Sequence, residues 1–424
     1  MKADVLDRVD APARVGPRPA STTPPPTMLA TANCRSCDLD HQVVTNWQNL
    51  DTLRGEWDDL ALSLQSDVYA TFDWCRIWWQ YYGNKRELAV HVFRQGPTLC
   101  AVVPMFLETL GAGPARIRLA RLIGCDHSVT TCGLVTAPDQ IPAVMNFVAR
   151  ECFAADCDAL QLGPMSGDDS SATAVASALA QTAFSVVKAV DRHPHMLFDV
   201  PPTFDAFVEQ LSTKERRNLR RDERKLDELG FVTRTSLTDA SDVTRGMDQF
   251  IALHQQHWRA QGQLGHFDDW PQSRPFHHAM AQRQHAKNRL LLTEITAAES
   301  TVAMEYSYQF GTRMHWILGA RVPNVSGRIG FAALMRQAID RGATRIDALR
   351  GYYEYKRLLG ASCIQQREIL AARPGLLRRA RPAGFSCASQ LLDCVYYRMW
   401  FSRIRPRLGL PGRPLSRLWI RTRL

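Results

Sequence analysis

The stretch Val322-Pro-Asn-Val-Ser-Gly-Arg-Ile-Gly-Phe-Ala-Ala-Leu-Met335 decides the fold, because a strand ends in it, a glycine-bearing loop follows and a helix begins. Gly327 and Gly330 let backbone approach a ligand closely. Exposed N–H groups at the helix start, helped by the helix dipole and by Arg328, suit a pyrophosphate. An ordinary capped loop explains the same residues equally well. Upstream, apolar runs at 290–295, 302–310 and 314–320 predict three consecutive strands. Downstream, 330–341 predicts a helix, and 345–349 and 364–370 predict two more strands. Consecutive strands, one helical crossover and a further strand indicate a mixed α/β unit.

The next segment is Arg345-Ile-Asp-Ala-Leu-Arg-Gly-Tyr-Tyr-Glu-Tyr-Lys-Arg-Leu-Leu-Gly360. A buried strand runs into a turn crowded with Asp347, Arg350, Tyr352, Glu354, Tyr355 and Lys356. Acids, phenols and an amine converging where a strand ends point to a site. The bland alternative is a helix start with surface ion pairs. Further upstream, Ser212-Thr-Lys-Glu-Arg-Arg-Asn-Leu-Arg-Arg-Asp-Glu-Arg-Lys-Leu226 predicts a helix with basic faces. Arg216, Arg220 and Arg224 share one stripe, with Arg217, Arg221 and Lys225 beside it. Such a face recognises phosphate or an acidic polymer, or is simply laced with ion pairs to Glu215, Asp222 and Glu223.

The first half has similar grammar. Leu53, Trp57, Leu60 and Leu64 recur at helical spacing, and an aromatic helix over 72–82 is closed by Gly83. A hairpin is predicted over 88–93 and 99–106, split by Gly96-Pro97. A strand at 117–123, a helix at 141–153, a strand at 159–162, a helix at 173–182 and strands at 184–190 and 196–200 follow. Pro201-Pro202 punctuates the chain. The expected organisation is a disordered Pro-rich leader (1–40), an N-terminal domain (41–201), a C-terminal domain (202–373) and an Arg-rich tail (374–424).

Net charge is +10 over 424 residues, and its placement matters. From Arg373 onward there are 12 arginines, no lysine and one acid, Asp393, so the rest of the chain is close to neutral. This weakens a nucleic-acid reading of the whole protein, and DNA is not an expected partner. The tail mixes arginines with Trp400, Leu408, Trp419 and Ile420, a pattern that suits an anionic membrane surface, a partly helical tail docked on the body of the protein, or a disordered appendage. No run of about 18 apolar residues and no signal-like segment is visible, so the expected location is cytoplasmic, with membrane contact through the tail.

Cys34 and Cys37 form a C-x-x-C without the second pair that a zinc ribbon needs. The other nine cysteines sit singly in apolar runs and are expected to be reduced and buried. His193-Pro-His195 and His277-His278 show no carboxylate or cysteine at metal spacing, so no metal site is expected. No G-x-S-x-G elbow is present.

Taken together, several segments resemble the CelD/BcsL family of GNAT-related acetyltransferases, named for cellulose biosynthesis. They are similar, more distantly, to Fem-type aminoacyltransferases. The segments are the 72–79 aromatic helix, the Lys214-x-Arg-Arg-x-x-Arg-Arg221 helix, Phe250-x-x-Leu-His254 with Trp258, residues 303–320, the 327–330 loop, and Asp347-x-x-Arg-Gly-x-x-x-Tyr-Lys356. The resemblance implies tandem GNAT-like domains, each a mixed central sheet flanked by helices. It also implies an acyl-CoA co-substrate, above all acetyl-CoA, with no permanently bound cofactor. The loop departs from the usual Arg/Gln-x-x-Gly-x-Gly/Ala pattern, which keeps aminoacyl-tRNA open as donor. A non-catalytic binding module of a polysaccharide synthase is the third alternative.

What the resemblance implies for residues is as follows. Gly327, Arg328, Gly330 and Lys356 hold the donor. Asp347 or Glu354 is the base, and Tyr352 or Tyr355 the acid. Arg217, Arg220, Arg221, Trp258 and Arg350 contact the acceptor, a small molecule or saccharide presenting an amine or hydroxyl. A strand N–H within 314–320 polarises the thioester carbonyl.

Overall fold

The computed structural model describes residues 39–410, apart from 114–115, 126–130, 168–170, 231, 235–238, 263–264 and 298. The expected leader up to residue 38, with Cys34 and Cys37, and the end of the tail from residue 411 lie outside the described residues.

In the first half, β1 (Asp40–Val44), α1 (Arg54–Ser63) and α2 (Phe72–Tyr82) lead into β2 (Glu87–Gln95), β3 (Thr98–Leu110) and β4 (Ile117–Leu122). A two-residue strand β5 (Val135–Thr136), α3 (Ile141–Ala154), β6 (Ala159–Met165), α4 (Ser171–Ala180) and β7 (Ser185–Asp199) follow. The second half opens with α5 (Phe204–Gln210), α6 (Thr213–Asp227), β8 (Val232–Arg234), α7 (Ala240–Ala260), α8 (His266–Asp269) and α9 (Ser273–Ala286). Then come β9 (Leu290–Ala297), β10 (Ser300–Phe310), β11 (Arg313–Arg321), α10 (Gly327–Asp340), β12 (Arg345–Arg350), α11 (Glu354–Leu358) and β13 (Ser362–Ala372). The tail contributes α12 (Leu376–Leu392), a wide π-helical stretch (Asp393–Ile404) and α13 (Arg405–Arg407).

The strands form one mixed sheet in the order β1-β2-β3-β4-β6-β13-β7-β12-β11-β10-β9-β8. Each half repeats one plan. Antiparallel strands end in β4 or β11, a helix crosses over (α3 or α10), and a strand parallel to the last one returns (β6 or β12). The final strands are exchanged. β13, from the second half, pairs with β6, while β7, from the first half, pairs with β12. Ser36–Leu424 is accordingly one compact unit.

Sequence reading expects two strands at 184–190 and 196–200, broken by the polar Asp191-Arg-His-Pro-His195. The structure makes one strand, β7. Pro194 is tolerated for a specific reason. Its carbonyl accepts Gly351 N–H (2.7 Å), so its missing N–H also faces β12, where a register shift between Asp347 and Arg350 interrupts the ladder. A proline beside a bulge removes no ladder bond.

The aromatic helix forms as expected because Phe72, Trp74, Cys75, Ile77 and Trp78 fall on its buried side. Trp57, Trp74 and Trp78 are almost wholly enclosed, and Trp57 Nε1–H donates to Ala70 O (2.8 Å). Truncating one such residue costs about 3–5 kcal/mol. The cysteine expectation holds for Cys75, Cys100, Cys125, Cys132, Cys152 and Cys157. Cys363, Cys387 and Cys394 are exposed instead, since they lie on β13's free end and on the tail helix.

Candidate functional site

β11 pairs with β12 only from Arg313–Arg345 to His315–Asp347, after which the two strands part. Helix α10 begins beside this gap. It starts at Gly327, three residues before the predicted start, because Ser326 caps it by accepting Arg328 N–H (3.3 Å). A cap of this kind satisfies an otherwise orphaned donor of the first turn.

Glu305 on β10 lies beneath that first turn. Its side chain is enclosed between Gly319 of β11 and Gly330 of α10. A Cβ on Gly330 would stand 1.8 Å from Glu305 Oε1, and one on Gly319 2.6 Å from Oε2. A side chain at either glycine would force the Glu305 carboxyl to move from this position. Trp316 Nε1–H donates to Glu305 Oε2 (2.6 Å). Burial lifts the Glu305 pKa to about 8, against the lowering influence of Trp316, Arg321 and Lys356. Sequence reading missed Glu305; its signal was a lone acid inside the otherwise uncharged strand 302–310.

Lys356 is buried at the same place. Its Nζ donates to Ala348 O (2.7 Å) and lies 4.8 Å from the Trp316 ring centroid and 4.7 Å from that of Tyr353. Burial lowers its pKa to about 8, opposed by the charges of Asp347 and Glu305. The two rings supply cation–π attraction to whatever charge remains. Tyr355 is partly exposed, and burial of its phenol, then the Glu305 charge, raise its pKa.

Asp347 is fully buried. His195 Nε2–H donates to its Oδ1 (2.6 Å), and Leu349 N–H donates to the same oxygen (2.8 Å). His315 Nδ1 stands 3.6 Å from Oδ2. Burial alone would raise the Asp347 pKa, but His195 and His315 outweigh it and hold the carboxyl well below its usual range. The Leu349 N–H bond holds that residue at φ 64°, a conformation costing about 1–3 kcal/mol for a non-glycine residue. Asp347 therefore fixes the bulge that sends Ala348 O toward Lys356. His195 meets a carboxylate after all, contrary to the sequence expectation, because strand exchange lays β7 against β12.

Asp67, His315 and Asp347 each bring one metal-capable atom within 4.8 Å of the others. Val68 N–H points at His315 Nε2 (3.5 Å), and His315 Nδ1 faces Asp347. Arg313 also pairs with Asp67 (2.5 Å). Among the described residues His315 Nδ1 and Asp347 Oδ2 face each other without a hydrogen-bond partner, and Tyr69 packs edge-on to His315 at 5.0 Å.

The remaining predicted residues are placed elsewhere. Arg328 Nε–H donates to Glu215 Oε2 (2.8 Å), and its Nη1 lies 3.5 Å from Asp222, so its guanidinium joins α10 to α6. Gly330 faces Glu305. Gly327 stays open apart from Arg321, whose Nη1 would be 3.4 Å from an added Cβ. Among the described residues Arg321 has no ion-pair partner within 4.0 Å. Arg217, Arg220 and Arg221 are exposed along α6, while Glu215 is buried. Trp258 donates to His254 Nε2 (2.9 Å) on α7. Tyr352 donates to Glu354 (2.9 Å), and the Arg357 bond, then the Tyr352 bond, bring the Glu354 pKa to about 2 at the surface. Arg350 is half-buried where β12 ends.

Residues 213–357, from α6 into α11, match the family model described as Acetyltransferase (GNAT) domain. This segment has the GNAT acyltransferase fold. No curated protein matches the chain in sequence. Among solved structures, the crystal structure of FemX is similar at 10% identity and TM-score 0.57, over 78% of this chain and 96% of that one. A conserved protein of unknown function from Bacteroides thetaiotaomicron gives 10% and 0.48, over 76% and 97%. A tandem GNAT protein from the clavulanic acid biosynthesis pathway gives 12% and 0.41, over 80% and 99%. The likeness to FemX is one of fold.

Proposed function

We propose that the protein moves an acyl group from a CoA-type thioester to an amine or hydroxyl, at a single site in its C-terminal half. One observation carries this. Strands β11 and β12 part after three paired residues, and the gap is edged by Trp316, Ala348, Lys356 and the first turn of α10. The corresponding place in the N-terminal half is bridged: Cys132 N–H donates to Pro164 O (2.8 Å), and Trp74 packs on Gly124. That supports one site in a tandem arrangement of residues 41–201 and 202–373.

In the proposed reaction the acceptor's nitrogen or oxygen attacks the thioester carbonyl, the C–S bond breaks, and amide or ester and free thiol result. Holding both reactants together supplies much of the rate. We assign the base to Glu305, whose pKa near 8 suits proton removal near neutral pH. Asp347 and Glu354 are held at low pKa and are poor bases; Asp347 instead positions the β12 bulge. Tyr355 returns a proton to the leaving sulfur, and Lys356 steadies developing negative charge. Arg321, beside Gly327, takes the pyrophosphate role that Arg328 leaves by pairing with α6. The resemblance to the cellulose-biosynthesis family supports acetyl as the group moved and a saccharide as acceptor.

A second reading, aminoacyl transfer from charged tRNA, is favoured by one feature: Arg328 is engaged by acids, while Arg217, Arg220 and Arg221 are exposed on the neighbouring helix. Incubation with labelled acetyl-CoA and an amino-sugar panel, in parallel with charged tRNA, separates the two. Thiol release with label transfer supports the proposal; label moving only from tRNA overturns it.

A further inference from the structure

Independently of the acyl-transfer site, the tail helix shows two faces. Near its start, Pro382 and Ser386 are buried, and Phe385 packs on a small apolar cluster of Leu110, Ile117, Leu119, Ala159, Leu370 and Ala372. Arg373 anchors the entry to this helix by donating to Cys157 O (2.6 Å). Beyond residue 390 the side chains turn outward. Leu391 is 64% exposed, Val395 45% and Met399 47%, at four-residue spacing on one side, with Trp400 beside them. Leu408 and Leu410, just past the helix, are also exposed. Arg381, Arg403 and Arg407 are exposed along the same tail, whose only acid is Asp393.

We propose that this helical tail docks on an anionic lipid bilayer surface. Exposed apolar side chains in a row beside arginines match a helix lying in the headgroup region, where the apolar side enters the acyl boundary and the cations meet lipid phosphates. No helix among the described residues is long and apolar enough to cross a membrane, so the contact lies in the plane of the surface.

The test is co-sedimentation of the full chain with vesicles of phosphatidylcholine alone, or with about a third phosphatidylglycerol. Binding is expected only with phosphatidylglycerol. The Arg403→Gln/Arg407→Gln variant should bind about thirtyfold more weakly, at about 1 kcal/mol per arginine. A Leu391→Gln/Val395→Gln/Met399→Gln variant, folded by circular dichroism, should lose binding as well. Equal binding to both vesicle types, or full binding by either variant, overturns the proposal. So does a stable dimer that covers the face and leaves vesicles unbound.

Discussion

Replacing Glu305 by Gln probes the site through a group that only the fold reveals. The change keeps the shape and leaves an amide oxygen to accept Trp316 Nε1–H. It removes a carboxyl whose pKa is raised from 4.5 to about 8 by burial. At about 1.36 kcal/mol per pKa unit, the enclosed carboxylate is disfavoured by about 5 kcal/mol. Below pH 4.5 the folded and unfolded chains both carry the proton, and the group contributes no pH slope. Between 4.5 and 8 only the folded chain keeps it, so stability falls as pH rises, and it levels above 8. Urea unfolding across pH 5 to 9 should show that decline in the natural protein and a flatter profile in Glu305→Gln. Acyl transfer should rise with pH toward an apparent midpoint near 8 in the natural protein. In the variant it should drop by about 10²–10⁴-fold and lose that limb. Parallel stability curves together with an unchanged pH–rate profile would refute both the burial argument and the assignment of the base.

Three further outcomes follow from the same geometry. Gly330→Ala should destabilise by about 1–3 kcal/mol through collision with Glu305, and Glu305→Ala should relieve most of it, as a double-mutant cycle in urea will measure. Arg321→Ala should raise the donor KM by about tenfold or more, the worth of a charge-assisted bond, whereas Arg328→Ala should lower the melting temperature without moving KM. His195→Phe should cost about 3–5 kcal/mol by leaving the buried Asp347 charge short of a donor, and Asp347→Asn in the same chain should recover part of that loss in thermal unfolding.

Local signals made most elements legible. The strand–loop–helix around Gly327 and Gly330 could be located because its pattern is local: apolar alternation, then a glycine-bearing loop, then helical periodicity. The Phe72–Tyr82 helix was equally plain, its large side chains recurring on one face. What escaped the sequence was pairing at a distance. Nothing in Asp191-Arg-His-Pro-His195 shows that its strand crosses to the other half, so His195 had no visible carboxylate. The mate of Asp347 lies 152 residues away. Lys356 and Asp347 could be singled out as candidates because they crowd one strand end. The pairing of Arg328 with Glu215 and Asp222 was not legible either, because it depends on α6 turning those acids inward while leaving Arg217, Arg220 and Arg221 outside. Glu305 was hidden because an acid in a strand reads as solvent-facing until two glycines are seen closing over it.

Hydrogen–deuterium exchange with and without acetyl-CoA tests most directly whether the parted strands hold the acyl donor. Backbone amides at 316–330 and 348–356 should exchange more slowly when the thioester is present, while 121–141 of the N-terminal half stays unchanged. Protection absent from the first two segments, or confined to the N-terminal half, would contradict the account.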